Sequence, residues 1–161
     1  CLVGSEMCIR DRLCSCISKI EKTPVDYVNN RIGNISHLLV PTYPTTHLPN
    51  SMLRMIPTHN EFTTDRMEGL ALNSPSHRQG HSLLLLPYRG DVKEFGGNLK
   101  YRYDHEKSTP YNYSVYLDDF SVGVDFAPAA KSAIYRFRFE DSDRRLILLK
   151  ANGKGEIDIN D

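Results

Sequence analysis

The sequence predicts an all-β chain, an antiparallel β-sandwich, and three observations carry that expectation. Residues 111–117, 120–126 and 133–139 each alternate apolar and polar side chains with the two-residue period of a half-buried strand. Short turn-forming segments, Asp118-Asp119 and residues 128–132, separate them. Pro41, Pro44, Pro49 and Pro57 punctuate the N-terminal half, so no long helix can run through it. The sandwich is expected to be incomplete, with truncation at both ends of the chain.

Taken in order, residues 25–32 read as an edge strand or an extended lead-in. Residues 31–57 read as a long, turn-rich, weakly charged loop, with Gly33-Asn34 favouring a turn backbone. Such loops in small domains are disproportionately functional. Residues 59–72 read as a polar surface loop, with 65–67 as one helical turn at most. Residues 74–82 form a second polar, turn-rich cluster. It opens into Leu83-Leu84-Leu85-Leu86, a run short enough for a strand buried on both faces and bounded by Pro87. Residues 89–91 read as a turn and 91–98 as a loop broken by Gly96-Gly97. From Tyr101 onward the pattern is β: Tyr111, Tyr113, Val115 and Leu117 share a face, as do Phe120, Val122, Val124 and Phe126. In the next strand Tyr135, Phe137 and Phe139 are expected in the core, opposed by Ile134, Arg136 and Arg138. A charged loop at 140–144, a strand at 146–150 and a hairpin turn at 152–155 into 156–159 extend the meander.

Composition narrows the function. Twenty basic and twenty acidic residues leave no net charge, which argues against a nucleic-acid partner. No apolar run approaches the ~20 residues of a membrane span. The four cysteines, Cys1, Cys8, Cys14 and Cys16, all fall in the first sixteen residues, so no disulfide staples the body and no zinc-ligand spacing appears. Residues 1–12, CLVGSEMCIRDR, resemble translated sequencing-adapter sequence and are set aside from the fold. Leu13-Cys14-Ser15-Cys16 is similar to the end of a lipoprotein signal, with Cys16 as the lipidated residue; a chance Leu-x-x-Cys is the competing reading. Residues 18–24 then form a polar tether. Lipidation would anchor the protein to a membrane surface without a spanning helix.

Several segments combine into one pattern. The stretch YPTTHLPNSMLRMIP (43–57) has an aromatic-Pro start, a central Leu-Pro and a closing proline. Ser76-His77 follows, then the apolar strand ending at Pro87 with Gly90 beyond it. Ser108-Thr109-Pro110-Tyr111-Asn112-Tyr113 and the FSVGVDFAPAAKSAIYRFRF meander complete it. In this order and spacing, residues 25–161 resemble the N-terminal domain of glycoside hydrolase family 92, the calcium-dependent exo-acting α-mannosidases.

The resemblance implies a β-sandwich packed on a C-terminal (α/α)6 barrel that is missing from this chain. The implied reaction is inverting hydrolysis of terminal α-mannosides in mannose-containing glycans, at a periplasmic or cell-surface location, lipid-anchored or secreted. Inversion needs two carboxyl groups about 6.5–9.5 Å apart across the sugar. The resemblance places these, and most ligands of the calcium cofactor, on the barrel. No catalytic residue and no metal ligand is therefore expected here, and the isolated chain is expected to be inactive. By motif match, Ser76 and His77 stand beside the sugar pocket. Arg78 and Arg54 could fork onto vicinal hydroxyls, and His47 and Asn50 could add polar contacts; each has a bland alternative as an ion-pair or loop-bonding residue. Ser76-His77 continues as Arg-Gln-Gly where better-known members carry a longer Thr-His-Leu-Ser-Gly run. Thr45, Thr46 and His47 replace small residues, and Arg54 replaces an amide. Two rivals from other classes are a stand-alone carbohydrate-binding sandwich and a ligand-free sandwich that docks a partner.

Overall fold

The alternation seen in the C-terminal half becomes a run of neighbouring strands. The computed structural model describes residues 21–32, 43–58, 65–74, 80–91, 100–140 and 144–151. Among these, strands β2 (Arg66–Met67), β5 (Tyr101–Ser108), β6 (Tyr113–Leu117), β7 (Val122–Pro128) and β8 (Ala133–Phe139) form a five-stranded antiparallel sheet in that order. Strands β1 (Ile56–Thr58), β3 (Gly69–Ala71), β4 (Leu83–Arg89) and β9 (Arg145–Ala151) form a four-stranded one, ordered β1-β3-β4-β9.

The core lies between the sheets. Tyr113, Val115 and Leu117 of β6 and Val122, Val124 and Phe126 of β7 are buried, as their period requires. They cluster with Leu70 and Leu86, and with the half-buried Leu148, from the other sheet. Each fully buried side chain of this kind contributes about 1.5–3 kcal/mol of transfer free energy. A smaller cluster of Ile56, Ala71 and Leu84 is covered by Tyr43.

Several expectations are corrected. Residues 25–32 are not a strand: Pro24–Tyr27 is a single 3-10 turn. Pro24 pre-sets its first position, and Asp26 accepts hydrogen bonds from the Thr23 amide and hydroxyl, both at 2.8 Å. The long loop ends early, because β1 begins at Ile56. Residues 65–67 are not a helical turn and residues 65–72 are not all loop: Arg66–Met67 is the two-residue strand β2 and Gly69–Ala71 the three-residue strand β3. Strand β4 does not stop at Pro87 but continues to Arg89. Its partner β3 pairs only with Leu84 and Leu85, so further along β4 is flanked on one side among the described residues, where proline is tolerated. Nor is the Leu83–Leu86 run buried on both faces: Leu84 and Leu86 are buried, whereas Leu83 and Leu85 are half-covered; beyond the run both Pro87 and Tyr88 are buried. Tyr135, Phe137 and Phe139 pack against the core but are only half-buried, because β8 is an edge strand. Phe120 lies in the 3-10 turn Asp118–Phe120, and Tyr111 is exposed. Strand β9 leaves the meander altogether and pairs with β4 along its whole length. The hairpin expected at 152–159 and the loop at 92–98 lie outside the described residues.

A bulge in β5 sets the phase of the polar end of the sandwich. Two residues, His105 and Glu106, stand opposite one on β6, and His105 adopts φ 52°. Unbroken alternation from Tyr101 and Tyr103 would turn His105 and Lys107 inward. The extra residue turns Glu106 inward instead. Its carboxylate accepts from the Tyr113 hydroxyl at 2.9 Å and pairs with Arg31. Burial first, and the neighbouring Glu106 charge second, push the Tyr113 phenol well above its ordinary pKa.

Candidate functional site

The two loops singled out in the sequence arrive at the same end of the molecule. Ile56 of β1 stands opposite Ala71 of β3. The chain preceding Ile56 and the chain following Ala71 therefore extend past the same end of the four-stranded sheet. The first is an arch over residues 43–55, closed at its base by the Thr46–Met55 bridge. The second is the β3–β4 connection over residues 72–82, whose base is held by the Leu72 amide on the Leu83 carbonyl at 2.9 Å and the Ser82 amide on the Asn73 carbonyl at 3.2 Å.

The arch is rigidly tied down. Thr46 is fully buried, and its hydroxyl donates to the Thr109 carbonyl at 3.1 Å, next to the β5–β6 turn. Asn30 donates to the Thr45 carbonyl at 2.9 Å and to the Ser108 hydroxyl at 3.2 Å. The Met52 amide donates to the Ala130 carbonyl in the β7–β8 turn at 3.0 Å. At the arch tip, Leu48-Pro49-Asn50-Ser51 is a β-turn: the Ser51 amide reaches the Leu48 carbonyl at 3.1 Å, and Asn50 sits at φ 59°. Proline at the second position and asparagine at the left-handed third suit that turn.

The expected site residues divide accordingly. Asn50 is exposed at the tip, where its backbone makes the turn. His47 donates from Nε2 to the Ser51 carbonyl at 3.0 Å, so one ring nitrogen is committed to holding the arch. Arg54 is half-buried on the returning limb. Tyr43 packs on Ile56, Ala71 and Leu84 as a packing aromatic. Ser76, His77 and Arg78 lie outside the described residues, as does Cys16. Their flanks are described. The Ser74 hydroxyl donates to the Gly80 carbonyl at 2.8 Å, and Gly80 adopts φ 76°, so the segment carrying Ser76-His77-Arg78 leaves and returns through a pinched neck.

His81, just past that neck, was not singled out in the sequence, although it belongs to the same polar cluster. Burial lowers its pKa; Glu68 opposes that shift and Lys150 adds to it.

The chemistry available at this end is limited by its residue types. Neither residues 43–55 nor residues 72–82 contain a single Asp or Glu. What they offer are imidazole, guanidinium, amide and hydroxyl groups, suited to holding a polyhydroxyl ligand and unable to supply a pair of carboxyl groups. Among the described residues no group of three or more His, Cys, Asp or Glu converges, so they do not fit a calcium site.

Comparison with known proteins bears on the family and the fold. Residues 27–160 match the model of the glycosyl hydrolase family 92 N-terminal domain. No curated protein matches the chain. Among solved structures it is similar to a family 92 α-mannosidase from Bacteroides thetaiotaomicron, with a TM-score of 0.70 and 20% identity over 82% of this chain. The same enzyme in complex with mannoimidazole matches with a TM-score of 0.66 and 21% identity over 80% of the chain. A family 92 inverting mannosidase from Bacteroides thetaiotaomicron VPI-5482 matches with a TM-score of 0.64 and 24% identity over 80%. At these identities the likeness is one of fold. The chain spans 20% of the length of each.

Proposed function

The chain belongs to glycoside hydrolase family 92, as its N-terminal domain, and from that premise we propose that it is a non-catalytic wall of the sugar site in a longer α-mannosidase. One observation carries this reading: the arch and the β3–β4 connection meet at one end of the sandwich and carry no carboxylate between them. In this proposal the remaining chain forms the barrel, holds the calcium and supplies the acid and base of inversion. The arch end holds the terminal mannose through His77, Arg54 and neighbouring polar groups. No step of the reaction passes through a metal held by the described residues.

The same proposal places the enzyme outside the cytoplasm, secreted or lipid-anchored through Cys16. The Leu13-Cys14-Ser15-Cys16 spacing supports this.

The test is hydrolysis of an α-linked mannose disaccharide, with the anomer of the released mannose followed by NMR. The expected result is no turnover by the 161-residue chain and β-mannose release by a full-length protein carrying it. Turnover by the short chain alone would defeat the proposal.

A further inference from the structure

The outward face of the five-stranded sheet carries a hollow that the arch does not line. Register sets Ser114 of β6, Asp125 of β7 and Arg136 of β8 in one row, and Ala127 opposite Ile134 in the next. Asn112, one residue before β6, continues that second row beside Ala127. Ala127 is the short member between two longer side chains, so the row sags at its centre. The result is a cavity of about 180 Å3 lined by Asn112, Asp125, Phe126, Ala127, Ile134 and Arg136. Its polar groups are fixed in advance. Arg136 donates to Asp125 from Nε at 3.1 Å and Nη2 at 3.0 Å, and Arg138 pairs with the same carboxylate; all three donors converge on Oδ2. Among the described residues no donor reaches Asp125 Oδ1, and Arg136 Nη1 has no acceptor. The Asn112 side-chain amide donates to the Phe126 carbonyl at 3.1 Å, which leaves its own oxygen as a second acceptor. Ile134, 67% exposed, supplies an apolar wall.

We propose that this hollow binds one further, non-terminal sugar of a neutral glycan, an inference that rests on the reading of the chain as part of a glycan-cleaving enzyme. Two acceptors and a guanidinium donor beside an aliphatic wall match the hydroxyl edge and C–H face of a sugar ring. Charge selects the same class. An anion would meet the open oxygen of Asp125, and a cation would meet two guanidinium groups, whereas a neutral polyhydroxyl ligand meets neither penalty. The volume lies below the roughly 300–1,000 Å3 of pockets for drug-sized ligands, which suits a single ring. The position fits as well. Asn112 closes the β5–β6 turn, where the Thr109 carbonyl accepts from Thr46 of the arch. Ala127 and Ile134 flank the β7–β8 turn, where the Ala130 carbonyl accepts from the Met52 amide of the arch. The two turns that brace the arch thus also border the hollow, and a branched glycan with its terminal sugar at the arch end can lay another sugar there.

The test uses a full-length family 92 protein carrying this domain, with Ala127→Leu to fill the hollow and Asp125→Asn to remove its carboxylate. Kinetics are measured on branched α-mannan and on the α-linked mannose disaccharide. For each variant KM on the mannan is expected to rise about fivefold, while KM and kcat on the disaccharide stay within about twofold. An unchanged KM on the mannan, or an equal rise on both substrates, overturns the inference. Where one variant does not fold, the other gives the same reading. Migration in a native gel containing the mannan, with excess disaccharide to occupy the arch end, is read on the same preparations. The unsubstituted protein should be retarded and both variants should be retarded less. Retardation abolished by inorganic phosphate would assign the hollow to anions and overturn the inference. An active enzyme whose variants match it on the mannan defeats this inference alone. A protein inactive toward both mannosides, yet retarded through the hollow, upholds it and defeats the functional reading.

Discussion

Two buried tyrosines carry opposite predictions. The Tyr113 hydroxyl donates to Glu106, whereas the buried hydroxyl of Tyr101 has no partner among the described residues. Burial alone pushes the Tyr101 phenol far above its ordinary pKa. Tyr101→Phe removes an unsatisfied group and should raise stability by about 1 kcal/mol, while Tyr113→Phe should lower it by about 1–2 kcal/mol. Urea midpoints check this, and a shift of both in the same direction contradicts it. His81 gives a pH prediction. Its imidazole is held below the ordinary value in the fold, chiefly by burial, so below about pH 6.5 the unfolded chain binds the extra proton first. Stability should therefore fall as pH drops from about 6.5 through the depressed folded value, and His81→Gln should flatten that part of the profile. Asp119 adds a step at lower pH. Burial raises its pKa, but the Arg102 amide and guanidinium outweigh that and hold it below 3.8. The stability it contributes is lost as pH falls through its folded value.

At the scale of elements, the arch and the neck are the parts to perturb. Thr46→Val leaves the Thr109 carbonyl without its hydroxyl donor and should cost about 1–3 kcal/mol. Gly80→Ala meets no steric neighbour but must hold φ 76°, which should cost about 1–2 kcal/mol. Thermal unfolding of each variant checks both, and an unchanged midpoint for Gly80→Ala would mean that the neck relaxes freely. Elements of this length also explain what the sequence showed. β6, β7 and β8 run five to seven residues with one face inward, so Val115, Val124 and Phe137 could be read from their period. β1, β2 and β3 have two or three residues, too few for any period, and β2 passed for a helical turn. The β5 bulge was invisible because nothing in His105-Glu106 marks a phase change. The move of β9 to the second sheet depends on which layer has a vacant edge, which no local pattern records. At the candidate site, the proline punctuation of residues 43–57 was legible, whereas the turn at Pro49-Asn50 emerged only from the backbone. The meeting of the two loops was not, because it follows from the Ile56–Ala71 register.

At the scale of the whole molecule, the account makes this chain one wall of a site completed by a much longer polypeptide. Its arch end is braced by buried hydrogen bonds, and the two loops at that end lack carboxylates. Such a wall should influence binding and leave the chemical step nearly untouched. The most direct measurement is therefore the steady-state kinetics of a full-length family 92 protein carrying this domain, with His77→Ala and Arg54→Ala, on an α-linked mannose disaccharide. The account predicts that KM rises about fivefold or more for each, as expected for a lost hydrogen bond of about 1 kcal/mol, while kcat stays within about twofold. Unchanged KM in both variants, or a fall in kcat of about a hundredfold, would contradict it.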